Sequence, residues 1–556
     1  MGYDYVIVGA GSAGCVLANR LTEDPSVEVL LLEAGGSNRH PNVAIPAAFA
    51  EQFHTGRDWD LATDPEPSCN DRPLYIPRGK GLGGSSAMNA MLYVRGRPLD
   101  YDLWEADGCP GWGWEGVKPY FLRAEDNSRG ASEDHGAGGP LRVEDSRSPR
   151  PLTRTFLEAA ESLGIPYAAD YNGPEQDGAA TVQVTQRGGR RWSTNDAYLA
   201  PVRKRPNLTV VTGAEVLRVE LDGTRATGVR YRSGRRGTEK TASAAREVIL
   251  SAGSIGSPQL LMLSGIGPAE HLREIGVPVN LDAPGVGSNL QDHPYLVCIW
   301  EVPGGGSLFD AEKPKALAEW VLRRTGPLTS SVAEAFAFVR SRPGLPAADL
   351  QFHFVPGYFS EHGADKYEGH ALTMGPVLIS PKARGHVRLR SGDPSDKPHV
   401  LTNSLSEPED IASMVAGVKL ARELAQTPPM QSVIGRELLP GSDNADDAAI
   451  EDDLAARIEL LYHPVGTCRM GSSDDSVLDP DLRVRGIDGL RVVDASVMPL
   501  IPGGNTNAPT IMVAERAADL IRGVSFPATV GSRSGLAGPG LPGDSTNRWP
   551  DKGDTP

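Results

Sequence analysis

The chain has 556 residues, 39% hydrophobic and 23% charged, an ordinary globular composition that at roughly 100–200 residues per domain predicts about two to four structural units or one large elaborated fold. A formal charge of −16 argues against a general nucleic-acid or anionic-membrane binder, because both reward clustered Lys and Arg. Five scattered cysteines without a CxxC fit neither a disulfide framework nor a zinc site. No run of about 18 apolar residues is present to form a transmembrane segment, and no basic segment precedes "MGYDYVIVGAG", so the predicted compartment is the cytoplasm.

The first elements carry the clearest signal. "YDYVIVGAGSAGCVLANRL" reads as a buried strand over 3–8, a glycine turn, and a helix from Ser12. Gly9, Gly11 and Gly14 form GxGxxG: the first allows the tight turn, the second lets backbone approach a pyrophosphate, the third lets helix and sheet pack closely. The pyrophosphate would sit at the helix N-terminus, where free N–H groups favour an anion. A second strand, "VEVLLLEAG", ends in Glu33, nineteen residues after Gly14, where a carboxylate can accept from an adenosine ribose. The unit predicts dinucleotide binding without separating NAD from FAD.

Residues 35–75 lack periodicity and read as a long covering loop. "PRGKGLGGSSAMNAMLYVRG" (77–96) is dense in glycine and small residues, and the three tryptophans of the next stretch predict a packed corner. A polar segment at 125–140 reads as a boundary, 151–166 as an amphipathic helix, and 207–234 as β-rich with a hairpin at Asp222-Gly223. Residues 246–268 repeat the strand, glycine turn and apolar helix, so the cofactor unit is predicted to be discontinuous. Strands and helices mix from about 296 to 460. "YHPVGTCRMG" (462–471), a strand over 489–499, and a turn with a helix over 503–523 follow, and the tail from 525 reads as disordered.

His463 precedes a proline, which biases it toward extended backbone, a strand end or a loop. By itself it can be a proton carrier, a metal ligand or a structural imidazole. The metal reading is poor, because no second His or carboxylate stands at ligand spacing and Cys468 is alone.

Taken together, "GKGLGGSSAMNAMLYVRGRPLDYD" (79–102), "GSIGSPQLLMLSGIG" (253–267), "HPVGTCRMG" and "GGNTNAPT" resemble, in order, the signature segments of the glucose-methanol-choline (GMC) oxidoreductases, flavoproteins that oxidise alcohols. The C-terminal half looks closest to the choline-oxidising and broad bacterial alcohol dehydrogenase branch. The resemblance implies an α/β fold (α+β overall): a doubly wound Rossmann-like FAD domain interleaved with a substrate domain on a mostly antiparallel sheet. On that pattern the FAD domain spans 1–145, 207–295 and 460–524, the substrate domain 146–206 and 296–459, and the tail 525–556.

Carried over by position, Gly9, Gly11, Ser12, Gly14, Glu33 and Ala34 would hold the ADP half, with the Val216 backbone at adenine. Gly83, Ser85, Asn89, Ala90, Met91 and Leu92 would lie along pyrophosphate and isoalloxazine; Asp494 and Ala495 would cradle phosphate and ribityl, and Thr510 would lie near the ring. Some relatives attach the flavin through a histidine just before the Asn of the first signature; here that residue is Met88, which predicts non-covalent FAD.

The resemblance pairs His463 with a His or Asn 44 residues later, here Asn507. Hydride would pass to flavin N5, His463 would take the hydroxyl proton near its ordinary pKa of about 6.5, and Asn507 would orient the substrate oxygen. Asn505 is read as a loop residue. The implied partners are a small primary alcohol and an electron acceptor, O2 or a quinone; the oligomeric state is open, a homodimer being compatible. A choline site would need aromatics and a carboxylate; Glu334, beside Phe336 and Phe338, is the candidate, unless it pairs with an arginine or supports the pocket wall. Tyr358, Phe359 and Tyr462 are further pocket candidates. The main rival reading is a family-type lyase acting on cyanohydrins without net redox.

Overall fold

A computed structural model describes residues 2–234, 237–443 and 446–524; the predicted disordered tail lies outside the described residues. The parallel part of the first sheet places strands in the order Leu490–Val492, Glu239–Leu250, Tyr3–Val8, Val29–Glu33 and Leu208–Thr212. The central strands are buried on both faces, which is why "YDYVIV" and "VLLLE" are almost continuously apolar. Strand Glu239–Leu250 is long enough to serve twice. Its first half completes an antiparallel meander with Ala214–Asp222 and Arg225–Ser233, whose turn falls at Asp222-Gly223 as predicted, and its second half enters the parallel sheet.

Register decides where the site lies. Val8 stands beside Leu32 and Leu250, and Leu250 beside Val492. The chain therefore leaves the sheet at one edge at Gly9, Glu33, Ser251 and Val493, the carboxyl edge at which open α/β sheets bind ligands.

The second sheet is antiparallel throughout: Glu437–Leu439, Cys298–Glu301, Ala371–Leu378, Leu350–Val355, Ala335–Val339 and Gly178–Thr181, with Pro294–Tyr295 and Glu459–Leu460 paired at one end. Alternation along Leu350–Val355 sends Phe354 to a stack on Phe156, ring centroids 4.6 Å apart, and His353 and Val355 to the cavity on the opposite face. The tryptophan corner packs as expected, with Trp104 and Trp112 fully buried. The loop over 35–75 carries short helical turns at Pro41–Ala44 and Pro46–Gln52, started by prolines at first-turn positions. The predicted strand over 489–499 stops at Val492, because Asp494 caps a helical turn at Ala495–Val497 through its side chain. Among the described residues no helix is long and apolar enough to cross a membrane.

Candidate active site

A cavity of about 740 Å³ runs from the carboxyl edge of the parallel sheet to the face of the antiparallel one, within the roughly 300–1,000 Å³ common for small-molecule sites. Its sheet end is built by the first glycine turn. Gly9 has φ +97°, and a Cβ there would lie 2.5 Å from the Ser251 carbonyl oxygen; a Cβ on Gly14 would lie 1.9 Å from the Gly9 carbonyl oxygen. The turn and the helix Ser12–Leu21 can approach the sheet only as glycine. Gly9, Gly11, Ser12, Glu33, Ala34 and Val216 line this end, while Gly14 stands behind the wall. The Glu33 carboxylate accepts from the backbone N–H of Ala10 and Gly35, both at 2.8 Å, and burial raises its pKa against those bonds.

Ser85, Asn89, Ala90, Met91 and Leu92 line the middle, and Gly83 backs them, its N–H donating to the Ala10 carbonyl at 2.8 Å. Met88, at the position where a covalent histidine would stand, also lines the cavity. Opposite, Asp494 joins two loops: one oxygen accepts from Gly253 N–H at 2.8 Å and Ser257 Oγ at 2.5 Å, the other from the Ser496 N–H and hydroxyl. Asp494, Ala495 and Thr510 all reach the cavity. The Ser251 hydroxyl, also on the wall, is buried with no partner, and a buried hydroxyl in that state calls for a ligand atom.

At the other end stand the two histidines that the pairing of Pro294–Tyr295 with Glu459–Leu460 brings together. His463 is half-buried on the cavity wall; its Nδ1 lies 3.0 Å from Nδ1 of fully buried His293, and its Nε2 lies 3.2 Å from the Asn505 amide nitrogen. Burial, with His293, His353 and Arg78 adding to it, holds the His463 imidazole well below its ordinary pKa, so the ring is neutral at neutral pH. His353 lines the same end, pushed down to about 3 by burial, with Nε2 unpartnered. Tyr462 and Phe359 line it too. Met91, Val332 and Tyr462 have φ of +60°, +73° and +66°, a left-handed backbone that non-glycine residues adopt at a cost and that clusters at functional sites.

Two candidates sit differently from the sequence expectation. The structure sets Asn505, read from sequence as a loop residue, against His463; Asn507 lines the cavity but turns its amide oxygen to Ser12 Oγ at 2.7 Å, tying together two helix starts 495 residues apart. Glu334 does not line the cavity. Its carboxylate accepts from Arg150 N–H and Thr153 Oγ1, both at 2.6 Å, and from Ser330 Oγ at 2.7 Å, while Phe336 and Phe338 are fully buried behind the lining, in the apolar cluster that also holds Met91 and Val355. Removing that carboxylate strands buried donors at about 1–3 kcal/mol each. Glu334→Ala is therefore expected to lower the melting temperature while leaving KM for alcohols within about twofold, which calorimetry and steady-state kinetics check.

Asp292, His293, Gln351 and His353 belong to this site without standing in any of the motifs above. A signal was available for one of them: His293-Pro294 repeats the His-Pro pair of 463–464.

This geometry agrees with what the chain matches. The GMC oxidoreductase family matches over residues 3–295 and 381–514. The chain belongs to the GMC oxidoreductase family. It is 44% identical to the alcohol dehydrogenase [acceptor] of Pseudomonas putida over 93% of this chain and 95% of that protein. It is 43% identical to the mitochondrial choline dehydrogenase of Homo sapiens over 94% of this chain and 90% of that one. Among solved structures, pyridoxine 4-oxidase from Mesorbium loti superposes with a TM-score of 0.86 at 33% identity, covering 94% of this chain and all of that one. The family match covers the glycine turn, Glu33, His463, Asp494 and Asn505, while Val332, His353, Val355 and Phe359 of the cavity wall lie in the stretch between its two parts.

Proposed function

We propose that the protein oxidises a neutral, largely apolar primary alcohol to the aldehyde, with FAD as cofactor and His463 as proton acceptor. The observation that carries the reading is the neutral His463 imidazole on the wall of a cavity whose other end has the features of a dinucleotide site. FAD fits the residues present: a glycine turn at a helix start, Glu33 at the ribose position, the unpartnered Ser251 hydroxyl, and Gly11 facing Gly84, where a Cβ on Gly84 would lie 2.6 Å from the Gly11 Cα. Bound there, FAD supplies the acceptor for the substrate hydride. Nothing at Met88 can form a bond to it, so acid precipitation is expected to release all the flavin into the supernatant; flavin that stays with the pellet would contradict this.

His463 Nε2 faces the cavity and takes the hydroxyl proton as the carbon–hydrogen bond breaks, help that is typically worth ~10²–10⁴ in rate. Asn505 holds Nε2 in the free protein and would hand it over to the alcohol. Asn507, at the start of the helix Asn507–Arg522, and His353 offer further polar contacts to the substrate oxygen or the cofactor. O2 or a quinone-type acceptor completes turnover.

The substrate class follows from where carboxylates lie. Those lining the cavity are Glu33, Glu215, Asp396 and Asp494. Glu33 and Asp494 belong to the sheet-edge loops, and Glu215 pairs with Arg232, which also donates to Ser395 next to Asp396. Around His463 the wall is formed by Phe49, Phe53, Val332, Val355, Phe359 and Tyr462, with Arg78, His353 and Asn505 as its polar groups. A quaternary ammonium is recognised by aromatic faces together with negative charge, and among the described lining residues that charge is missing at this end. Aldehyde formation from 1-octanol, benzyl alcohol and choline separates the readings: kcat/KM for choline is expected at least ~10-fold below the best neutral alcohol. Choline as the best substrate would reject this substrate class.

A further inference from the structure

His293 is buried beside the proposed base, and the mechanism above leaves it without a role. We propose that His293 is the positioning residue that fixes which nitrogen of His463 carries the proton, holding the Nδ1–H form so that the Nε2 lone pair faces the substrate. This rests on the reading of His463 as proton acceptor.

The backbone already fixes the two residues to one another. Asp292 Oδ1 accepts from the His463 N–H at 2.7 Å and from the His293 N–H at 2.8 Å, so one carboxylate oxygen clamps both histidines. The Leu461 N–H donates to the His293 carbonyl at 2.9 Å, continuing the pairing of the two short strands. The rings then meet edge to face, centroids 5.2 Å apart and planes at 85°, with the Nδ1 atoms 3.0 Å apart. Two nitrogens at that distance share one proton, so one ring donates and the other accepts.

The cavity end of the chain of contacts sets the direction. At the cavity end, Gln351 Nε2 lies 3.5 Å from Asn505 Oδ1, which turns the Asn505 N–H₂ toward His463 Nε2 at 3.2 Å. An amide nitrogen only donates, so His463 Nε2 accepts and its proton sits on Nδ1. At the buried end, burial pushes the His293 pKa down to about 3, so its ring is neutral, and its Nε2 has no hydrogen-bond partner. A neutral His293 protonated at Nε2 presents a lone pair at Nδ1. The chain therefore runs from Gln351 through Asn505 to His463 Nε2, and from His463 Nδ1–H to His293 Nδ1.

Free neutral imidazole prefers the opposite form, Nε2–H, in which His463 would offer a donor and no base to an alcohol. The partner of the second ring nitrogen decides the form in a folded protein. When Nε2 takes up the substrate proton, His463 becomes a cation and its Nδ1–H bond to His293 becomes charge-assisted, hence stronger.

The test uses the FAD-loaded full chain carrying ¹⁵N-labelled histidine. The ring signals that vanish in His463→Gln identify His463 in two-bond ¹⁵N–¹H spectra. The wild type is expected to show His463 as Nδ1–H, and His293→Ala is expected to move it to Nε2–H. In parallel, anaerobic flavin reduction at saturating alcohol is expected to slow about 10–100-fold in His293→Ala with KM within about twofold, since a wrong tautomer can cost up to ~10⁴ where a histidine is the base. His293→Gln, whose amide oxygen can accept from Nδ1–H, is expected to recover most of the rate. A wild-type His463 in the Nε2–H form overturns the proposal, as does wild-type reduction in His293→Ala. If His293→Ala loses its flavin, the wild-type tautomer and His293→Gln decide. Failure of the underlying reading looks different: His463→Gln would itself reduce flavin at the wild-type rate.

Discussion

His463→Ala is expected to purify with FAD bound and to lose at least ~10²-fold in alcohol-dependent flavin reduction. The retention of FAD follows from what the side chain holds, which is one contact to His293 and one to Asn505 on the cavity wall, with no link to the glycine turn, Glu33 or Asp494. The size of the loss is that of general-base help, ~10²–10⁴, or about 3–5 kcal/mol at 1.36 kcal/mol per decade. The pH profile provides a second readout. The base works only when neutral, and burial, then His293, His353 and Arg78, lower its pKa. Activity is therefore present above that lowered pKa and lost as pH falls through it. The acid limb of kcat/KM in the wild type is expected to have its midpoint below the ordinary histidine value of about 6.5. A midpoint above 6.5, or near-normal reduction in FAD-loaded His463→Ala, would remove His463 from the reaction.

Gly14→Ala is expected to yield protein without flavin. The added carbon would lie 1.9 Å from the Gly9 carbonyl oxygen and 3.0 Å from its carbon, both backbone atoms with no rotamer to yield. The helix Ser12–Leu21 would have to lift from the sheet. That would carry Ser12 away from Asn507 and break the link between the helix starts at the cavity. Gly56→Ala in the covering loop, where a Cβ meets nothing within 4 Å, is the matched control and is expected to keep its FAD. The ratio of flavin to protein absorbance in the two variants checks the pair. A yellow, fully loaded Gly14→Ala would mean that the turn does not hold the cofactor.

What could be read from the sequence was what is encoded over short spans. Strand Tyr3–Val8, the turn and helix Ser12–Leu21 follow from apolar runs and glycine spacing, and the helix Pro151–Ser162 from its periodicity, four residues shorter than the pattern over 151–166 suggested. The end of the last parallel strand was less clear, since the side-chain cap that stops it depends on Asp494 meeting Gly253 and Ser257 from far up the chain. The resemblance pairs His463 with Asn507 and leaves Asn505 as a loop residue, whereas the turn before the helix Asn507–Arg522 sets Asn505 against the imidazole and Asn507 against Ser12. Glu334 looked like a pocket carboxylate because its three donors lie at 150, 153 and 330, two of them nearly two hundred residues away. Asp292 and His293 acquire their meaning through the pairing of two-residue strands, Pro294 with Leu460, 166 residues apart, and the repeated His-Pro pair is the one local trace of it.

The most direct test of the central claim is the visible absorption spectrum of the purified protein, recorded anaerobically before and after adding 1-octanol, benzyl alcohol and choline in turn. FAD-dependent oxidation of a neutral alcohol requires an oxidised flavin band that bleaches with 1-octanol or benzyl alcohol. A flavin band that no alcohol bleaches, while the protein cleaves a cyanohydrin without any electron acceptor, would contradict alcohol oxidation and make the cavity that of a lyase.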